Sequence, residues 1–530
     1  MPRSWSSRRS GDGASPVSEA PPDPPLADHP PGKLSLLSFS ALALERVFAL
    51  VLVAVVAALF GATGASSTYF LALIVPITLG VSTSEAFYTA LLPVFTRKTR
   101  PPRELLYASV RIAAAFVLTG TALYIAILVA VSPDRLSVWL AFSPLVAATG
   151  LNGVYAAFLT AERRYALAIL RIPIGTAIAL AVTAIVLPFW ESPTALAIAV
   201  SSGQVATLAL LAVRAGGAPG GDGTETISAS SLFSSAAAVF ASTLLGGQLV
   251  IVVERFLAIG LVTGAVALLA FARGIALLPV MFAQAVGSGV FPAAAERFKS
   301  LERASLTRLA VSAMRLSVLA GLVSTAYVVI CRRELVQVAF QRHAFNAADA
   351  GRTATLVAIL GAALTGASLT ASGARVLFAL GRRRDVLLIS VAALGLYVVA
   401  AIVLRQVYGL DGLASAFTVA STAGGLVVVA VLVHRLGIGL GRAVREWLLA
   451  PAVLAAAFAA GALAVWLPFG GPHRTLGAAL GTAIAAGLAG LALLGVAIRF
   501  ANGLEYSLLR RGAAALSTRR TEARSGPSEA

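Results

Sequence analysis

The chain has 530 residues, of which 58% are hydrophobic and 12% charged, and its formal net charge is +18. Soluble domains are about 45–50% apolar and about 25% charged, so this composition excludes a soluble globular protein and is typical of a polytopic membrane protein. The basic residues stand in short runs between apolar segments, which excludes nucleic acid as a partner. One cysteine and four scattered histidines argue against a structural disulfide or a metal site, and no cofactor is expected.

A membrane-spanning helix needs about 20 predominantly apolar residues, and the chain contains fourteen runs of this kind. The predicted fold class is therefore an all-α polytopic membrane protein with about 14 transmembrane helices. Pro76 and Pro279 lie inside two of the longer runs, where kinks are expected. The predicted spans are 41–61, 68–95, 107–131, 137–160, 166–190, 194–213, 231–257, 261–295, 307–331, 353–381, 386–404, 411–433, 446–468 and 475–500.

Lysine and arginine are distributed unequally between alternate loops. Seventeen of them lie in one set, which we call the basic loops, and seven lie in the alternate set. Short cytoplasmic loops carry the excess of basic residues, so the basic loops are predicted to be cytoplasmic. An even number of helices then places both termini on the same side. The basic loops are 96–103, 163–164, 214–230, 297–308, 382–384 and 435–445.

An internal repeat divides the chain into two halves. AAFLTAERRYALAI (156–169) corresponds to VLFALGRRRDVLLI (376–389) at an offset of 220 residues, and each segment ends the fourth helix of its half. Parallel six-helix repeats are an architecture of alternating-access transporters that bind substrate between the halves. The predicted domains are a disordered cytoplasmic tail (1–37), an N-lobe of helices 1–6 (38–213), a glycine-rich cytoplasmic linker (214–230), a C-lobe of helices 7–12 (231–433), helices 13–14 (434–505) and a second disordered cytoplasmic tail (506–530).

Between the ninth and tenth predicted spans lies RRELVQVAFQRHAFNAADAGRT (332–353). Leu335, Val338, Ala339 and Phe345 give this segment an apolar stripe, which predicts a helix lying along the outer membrane interface. A packed connector and a gate are both compatible with the pattern.

Nine ionisable residues of the predicted spans are candidates for a functional role, because a charge at bilayer depth costs about 2.5–3.5 kcal/mol and therefore normally faces protein or a watery cavity. Seven arginines against two acids predict a cationic interior suited to an anionic ligand. Guanidinium groups bind phosphate oxygens in a bidentate manner, which favours pyrophosphate. Three of the arginines lie near basic loops and are expected to snorkel toward the interface. These three are Arg111, Arg171 and Arg315.

The remaining six are the candidate substrate-binding residues: Arg46, Glu85, Glu254, Arg255, Arg273 and Arg375. Several of them allow a second interpretation. Arg46 lies near a helix end and can snorkel, and Glu254 and Arg255 lie where they can pair or be solvated. For Glu85 and Arg273, which lie deeper, the alternative is an ion pair that locks helices together. No catalytic residues are predicted, because the sequence has no P-loop, no DxD motif and no His–Asp pair. A transporter is expected rather than an enzyme.

At these residues the chain resembles the MurJ/MviN lipid II flippases of the multidrug/oligosaccharidyl-lipid/polysaccharide exporter superfamily. In the first half, Arg46, Phe60–Gly61–Ala62, Tyr69–Phe70, Pro76, Glu85, Phe87 and Pro93–Val94 fall on the family pattern. In the second half the pattern is echoed by FARGIALLPVMFAQAVGSGVFPAAA (271–295), AFQRHAFNAAD (339–349), FALGRRRD (378–385) and GLDGLASAF (409–417).

The resemblance implies two helical lobes around a central cationic cavity, in a multi-pass protein of the bacterial inner membrane. It implies a flippase that moves a polyprenyl-pyrophosphate-linked cell-envelope precursor, lipid II for peptidoglycan synthesis first of all, from the inner to the outer leaflet. Arg46 and Arg273 correspond to cavity arginines, and Glu85 to an acid of the second helix. The implied partners are the lipid-linked glycan, membrane lipids, and proteins of cell-wall synthesis or division.

The chain departs from the family pattern at several charged positions of the first half. Leu52 and Val53 replace an Arg-Asp pair, Ser67 replaces an acid, and Gly80 and Val81 replace two arginines. These losses keep two further interpretations open. One is a non-transporting relative that serves as a scaffold in envelope synthesis, and the other is a coupled exporter of small cationic drugs on the same fold.

Overall fold

The computed structural model is helical throughout the part of the chain that it describes, with no strand there. The predicted tails lie largely outside this part, as does most of the predicted linker. Helix α1 begins at Pro31, inside the segment predicted as a tail. The structure describes residues 31–96, 103–131, 136–216, 232, 236–237, 239–241, 243–280, 303–380, 382–471, 473 and 475–501.

The described residues of the first half of the chain form seven helices. They are α1 (Pro31–Phe60), α2 (Gly64–Phe95), α3 (Arg103–Val131), α4 (Leu136–Ala141), α5 (Ser143–Ala161), α6 (Tyr165–Val186) and α7 (Pro193–Gly216).

The second half begins with a π-helical turn (Leu244–Gln248) that runs into α8 (Leu249–Ala258). It continues with α9 (Ala265–Ala276), α10 (Arg303–Ile330), α11 (Arg332–Phe340), α12 (Ala347–Gly361), α13 (Leu364–Ala379) and α14 (Arg383–Leu436). The remaining helices are α15 (Leu440–Ala443), which passes through a π-helical turn (Val444–Leu449) into α16 (Ala450–Phe469), and α17 (Leu476–Ala501).

Ten helices of the described residues are long and apolar enough to cross a membrane, or eleven if α12 and α13, bent by 44° at their junction, form one span. The chain is therefore a multi-pass membrane protein. The predicted span 353–381 is this bent pair, and 386–404 and 411–433 lie on either side of Gly409 in α14, where φ is 57°. Helix α2 runs unbroken over Pro76. The predicted span 261–295 is described only to residue 280, so the count of fourteen remains a prediction.

The largest apolar core lies at the end of the molecule away from the basic loops, and it joins the two halves of the chain. Phe70 of α2 packs edge-on against Phe271 of α9, with ring centroids 5.3 Å apart. Phe271 in turn contacts Phe340 and Phe345, each at 5.3 Å. Aromatic pairs of this kind contribute about 0.5–1.5 kcal/mol beyond their buried area. We call these four phenylalanines the outer seal.

Two close backbone contacts support the outer seal. The turn after α1 places Gly61 against the carbonyl of Ala344, and the amide of Ala344 donates to the carbonyl of Ala58 at 3.1 Å. Gly264, just before α9, lies against the carbonyl of Ala62 so closely that a β-carbon would overlap it. Both glycines have positive φ angles, 57° and 79°. Any other residue would add both strain and a clash.

At the end that carries the basic loops, the described residues form two separate apolar cores. One core joins α2, α3, α5, α6 and α7 and includes Leu232 and Ala236 from the start of the second half, with Phe95 and Phe158 edge to face at 5.7 Å. Another joins α10, α13 and α14 around the buried Trp447. Among the described residues these two cores have no member in common. At this end α10, α13 and α14 of the second half therefore pack apart from the first-half core, and we call the gap between them the crevice.

The predicted interfacial segment corresponds to α11 and the loop that follows it. Glu334 of α11 is buried and accepts hydrogen bonds from the indole N–H of Trp466 and the amide of Gly471, both at 3.0 Å. Gln337 donates to the carbonyl of His473 at 2.8 Å. This segment thus connects the outer seal to helices α16 and α17.

The Gly264 contact predicts a measurable loss of stability. Gly264→Ala should lower the thermal unfolding midpoint of the detergent-solubilised protein by more than Gly260→Ala does. Both residues have φ near 80°, so both variants carry a similar backbone strain of about 1–2 kcal/mol. Around Gly260 there is open space, whereas at Gly264 the Ala62 carbonyl must also move. Equal unfolding midpoints for the two variants would show that the close contact between Gly264 and the Ala62 carbonyl does not affect stability.

The buried Cys331, the one cysteine of the chain, is expected to resist thiol reagents. Burial, with a smaller contribution from Glu334, raises the pKa of its thiol to about 12. At pH 8 maleimide should therefore label the native protein only after denaturation, while an Ala348→Cys variant, exposed at the start of α12, should label rapidly. Labelling of Cys331 at the Ala348→Cys rate would show that it is not buried.

Candidate functional site

A cavity of about 330 Å³ lies in the first half of the chain between α1, α2, α5, α6 and α7. This volume is at the low end of the range of about 300–1,000 Å³ for small-molecule sites. Helix α2 lines it with one face, because residues at helical spacing share a side. The apolar part of the wall includes Leu52, Val53, Phe70, Leu73, Ile77 and Val81. The cavity is therefore mostly apolar, with a few polar groups at defined places.

An amide pair forms the polar floor of this cavity. The Asn152 side chain donates from Nδ2 to Oε1 of Gln204 at 3.3 Å, which joins α5 to α7. Asn152 is buried, and its Oδ1 has no hydrogen-bond partner. Gly175 of α6 gives Gln204 the space it occupies. Buried polar atoms are normally satisfied, so an unpartnered Oδ1 in a cavity wall is available for water or ligand.

Four charged side chains line the same cavity. Arg46 of α1 has a side chain that is 47% exposed, and its Nε lies 3.3 Å from the carboxylate of Glu45. Glu85 is exposed on the cavity face of α2. Arg171 of α6 lies over the ring of Tyr88 at 5.7 Å. Two acids and two arginines thus meet in a wall that is otherwise apolar.

Glu85 also relates this cavity to the second half of the chain. Its carboxylate interacts electrostatically with Arg171 in the first half and with Arg375 of α13 in the second. Since the core of α10, α13 and α14 is separate from the first-half core at this end, Glu85 and Arg375 lie on opposite sides of the crevice. Glu85 is the acid between the two arginines.

A second charged cluster is buried in the second half, close to the outer seal. Arg273 of α9 forms an ion pair and hydrogen bond with Glu254 of α8, and its guanidinium lies 4.2 Å from the ring centre of Phe417. Arg255 donates to the carbonyl of Val266. Removing one partner of a buried pair typically costs about 3–5 kcal/mol, because the other charge remains buried.

The buried cluster is adjacent to the cavity of the first half. Gly274, the residue after Arg273, faces Val53, and a β-carbon there would be 4.0 Å from Cγ1 of Val53. Phe271 of the outer seal is two residues before Arg273. Arg273 therefore lies between the seal and the cavity wall.

The structure divides the six predicted site residues into two groups. Arg46 and Glu85 line the cavity, and Arg375 approaches it through Glu85. Glu254, Arg255 and Arg273 form the buried cluster. The solvated alternative for Glu254 and Arg255 is wrong, since both are buried. The ion-pair alternative for Arg273 describes its contact, with Glu254 as the partner.

Sequence reasoning missed several residues of the two groups. Arg171 was predicted to snorkel, but it lines the cavity. Asn152 and Gln204 were not singled out, although amides in the middle of apolar runs are themselves a signal. Phe417, which lies in the GLDGLASAF motif, could be assigned to Arg273 only once the helices were placed. Within the described residues, no group of three or more His, Cys, Asp or Glu side chains is arranged to hold a metal ion.

Comparison with solved structures gives the fold relationship. Over 88% of this chain and 100% of the other, the protein is similar to a structure described as "Lipid II flippase MurJ, inward closed conformation", with a TM-score of 0.73 and 15% identity. It is also similar to an inward-facing multidrug resistance MATE family transporter of the MOP superfamily, at TM-score 0.63 and 13% identity over 76% and 98% of the two chains.

A third similar structure is a MOP superfamily transporter from Pyrococcus furiosus, at TM-score 0.58 and 13% identity over 77% and 95% of the two chains. At these identities the likeness shows the fold. No curated protein sequence matches the chain. The family model "Lipid II flippase MurJ", however, matches residues 56–469, well over half of the chain. The chain therefore belongs to the MurJ family of lipid II flippases.

Proposed function

We propose that this protein is a flippase that moves a polyprenyl-pyrophosphate-linked cell-envelope precursor, lipid II first of all, from the inner to the outer leaflet of the bacterial cell membrane by alternating access. The observation that carries the proposal is the family match over residues 56–469. The proposal includes cytoplasmic termini, as the distribution of basic residues predicts.

The geometry of the halves supports alternating access. The outer seal joins α2 to α9, while at the basic end the core of α10, α13 and α14 is separate from the first-half core. A crevice of this shape receives a ligand from the basic side and excludes it from the other. Release on the outer side requires the close backbone contacts at Gly61 and Gly264 to break and the rings of Phe70 and Phe271 to separate. Their aromatic contact is worth only about 0.5–1.5 kcal/mol beyond burial, which suits a reversible closure.

The charges of the crevice support a pyrophosphate-bearing substrate. Arg46, Arg273 and Arg375 belong to three different helices around it, and Arg255 adds positive charge behind Arg273. Glu85 and Glu254 are the counter-charges that balance these arginines while the site is empty. Guanidinium groups bind phosphate oxygens with paired hydrogen bonds. The membrane potential, at about 2.3 kcal/mol per charge per 100 mV, supplies the driving force for resetting a cationic site.

A second candidate function is supported by the apolar character of the first-half cavity. Its volume of about 330 Å³ and its two acids, Glu45 and Glu85, suit a small amphipathic cation of the kind a coupled drug exporter carries. The two arginines in the same wall oppose that choice. A scaffold without transport activity is the third candidate.

One complementation experiment separates the three candidates. In a strain depleted of its lipid II flippase, we expect the wild-type chain to restore growth and Arg273→Ala to fail, because the pyrophosphate loses a ligand and Glu254 is left buried and unpaired. Arg435→Ala, which breaks an exposed pair with Asp385, is the matched control and should restore growth.

The other outcomes identify the other candidates. Failure of wild type to rescue, with drug susceptibility unchanged, would favour a scaffold, and rescue by Arg273→Ala at equal protein levels would show that Arg273 is not a substrate ligand. Failure of wild type to rescue, together with altered drug susceptibility in a strain lacking the native gene, would favour an exporter.

Glu85 is expected to control the width of the crevice. Glu85→Gln removes the attraction between α2 and Arg375 of the second half, so the basic end should open. In a Cys331→Ser background, an Ile77→Cys probe in the cavity wall should then react with maleimide several-fold faster from the cytoplasmic side. Glu446→Gln, which removes the partner of Arg442 on the surface, should leave that rate unchanged. An unchanged rate of maleimide reaction in Glu85→Gln would show that Glu85 does not control the width of the crevice.

A further inference from the structure

We propose that Glu254 is a built-in competitor of the substrate: its carboxylate holds Arg273 until a substrate phosphate displaces it, and recaptures Arg273 when the substrate leaves. The inference rests on the proposed function, since it takes a pyrophosphate group as the ligand. It gives Glu254 the part of a positioning residue that acts through Arg273.

The first support is the charge balance of the buried cluster. Glu254 is 0% exposed, Arg255 5% and Arg273 8%. Two guanidinium groups therefore share one carboxylate in a place that is nearly closed to water. A buried charge is tolerated only when it is paired, so this place favours one more negative group.

The second support is that the ion pair is incomplete. Arg273 donates from Nη2 to Oε2 of Glu254, while Nε of Arg273 and Oε1 of Glu254 have no hydrogen-bond partner. The hydroxyl of Tyr397, also buried, has none either. A guanidinium and a carboxylate normally form two parallel hydrogen bonds. The single bond leaves Arg273 with an unused donor, which a phosphate oxygen can accept.

The third support is the direction of the Arg273 side chain. Side chains lean toward the N-terminus of their own helix, and α9 begins at the outer end, where Glu254 lies on the antiparallel α8. The neighbouring Gly274 faces Val53 in the cavity wall. An arginine released by Glu254 is therefore within side-chain reach of the crevice, while contact with the Phe417 ring keeps it from swinging freely.

This arrangement solves a problem that any flippase for a pyrophosphate faces. Arginines that bind the group tightly enough to gather it from one leaflet also resist releasing it at the other. A carboxylate that competes for the same guanidinium weakens binding and speeds release. Glu254 lies in a position to compete in this way.

The test measures binding of farnesyl pyrophosphate to the purified full-length protein in detergent, with farnesol as the uncharged comparison. Glu254→Gln should bind the pyrophosphate about tenfold tighter than wild type, since one charge-assisted hydrogen bond no longer competes. Glu254→Asp keeps the competing charge on a shorter side chain and should show a smaller gain than Glu254→Gln. Adding Arg273→Gln to Glu254→Gln should abolish the gain, and farnesol affinity should not change in any variant.

Two further variants keep the test decisive. Glu334→Gln is the matched control, because Glu334 of α11 is equally buried but packs against α16, away from Arg273. The pyrophosphate affinity of this variant should equal that of wild type. If Glu254→Gln fails to fold because two arginines are left unpaired, Glu254→Gln combined with Arg255→Gln restores the charge balance and should show the same gain.

The outcomes distinguish this inference from the proposed function. The role of Glu254 alone is overturned if wild type binds farnesyl pyrophosphate and a folded Glu254→Gln variant binds it no more tightly. It is also overturned if the affinity for farnesol rises by the same factor. Absence of pyrophosphate binding by wild type and all variants overturns the proposed substrate class, and the role of Glu254 with it.

Discussion

The cost of placing a charge in a bilayer is the constraint on which the rest of this structure depends. An ionised side chain at membrane depth must face protein or water, so each one fixes the orientation of the helix that carries it. Glu254 and Arg273 fix α8 against α9. Glu85 turns one face of α2 toward the crevice, where Arg171 and Arg375 approach it from opposite halves. The apolar surfaces are then left for lipid and for the cores.

The cores and the charges together define a molecule that is closed at one end. Apolar packing joins the halves at the outer seal, where Phe70 meets Phe271 and glycine allows backbone to touch backbone. At the basic end the core of α10, α13 and α14 is separate from the first-half core, and Glu85 faces Arg375 of α13 between them. Apolar contacts hold one end of the molecule, and charges whose balance a ligand can change lie at the other. This is the asymmetry that alternating access requires.

The apolar runs predicted most of the helices, because the length of a span is set by the thickness of the bilayer. They did not show that 353–381 is bent between α12 and α13, or that α2 continues unbroken over Pro76, since both depend on packing against neighbours. The family match confirms the resemblance that residues such as Glu85 and Arg273 suggested. The partner of Arg273 could not be predicted, because Glu254 lies on a different helix. The sequence was compatible with either a solvated or a paired Glu254. Arg171 was assigned to the interface because it lies near a basic loop, whereas the packing of α6 against α1 turns it into the cavity.

The central claim is that the protein carries a pyrophosphate-linked precursor across the membrane, and the distribution of that precursor between leaflets tests it most directly. In cells that depend on this chain, the fraction of lipid II accessible at the outer leaflet is measured before and after its depletion. The account predicts that the outer fraction falls while the inner-leaflet pool accumulates, and that re-expression of the wild-type chain, but not of Arg273→Ala, reverses both changes. An unchanged distribution after depletion, in cells with no other flippase for this precursor, would contradict it.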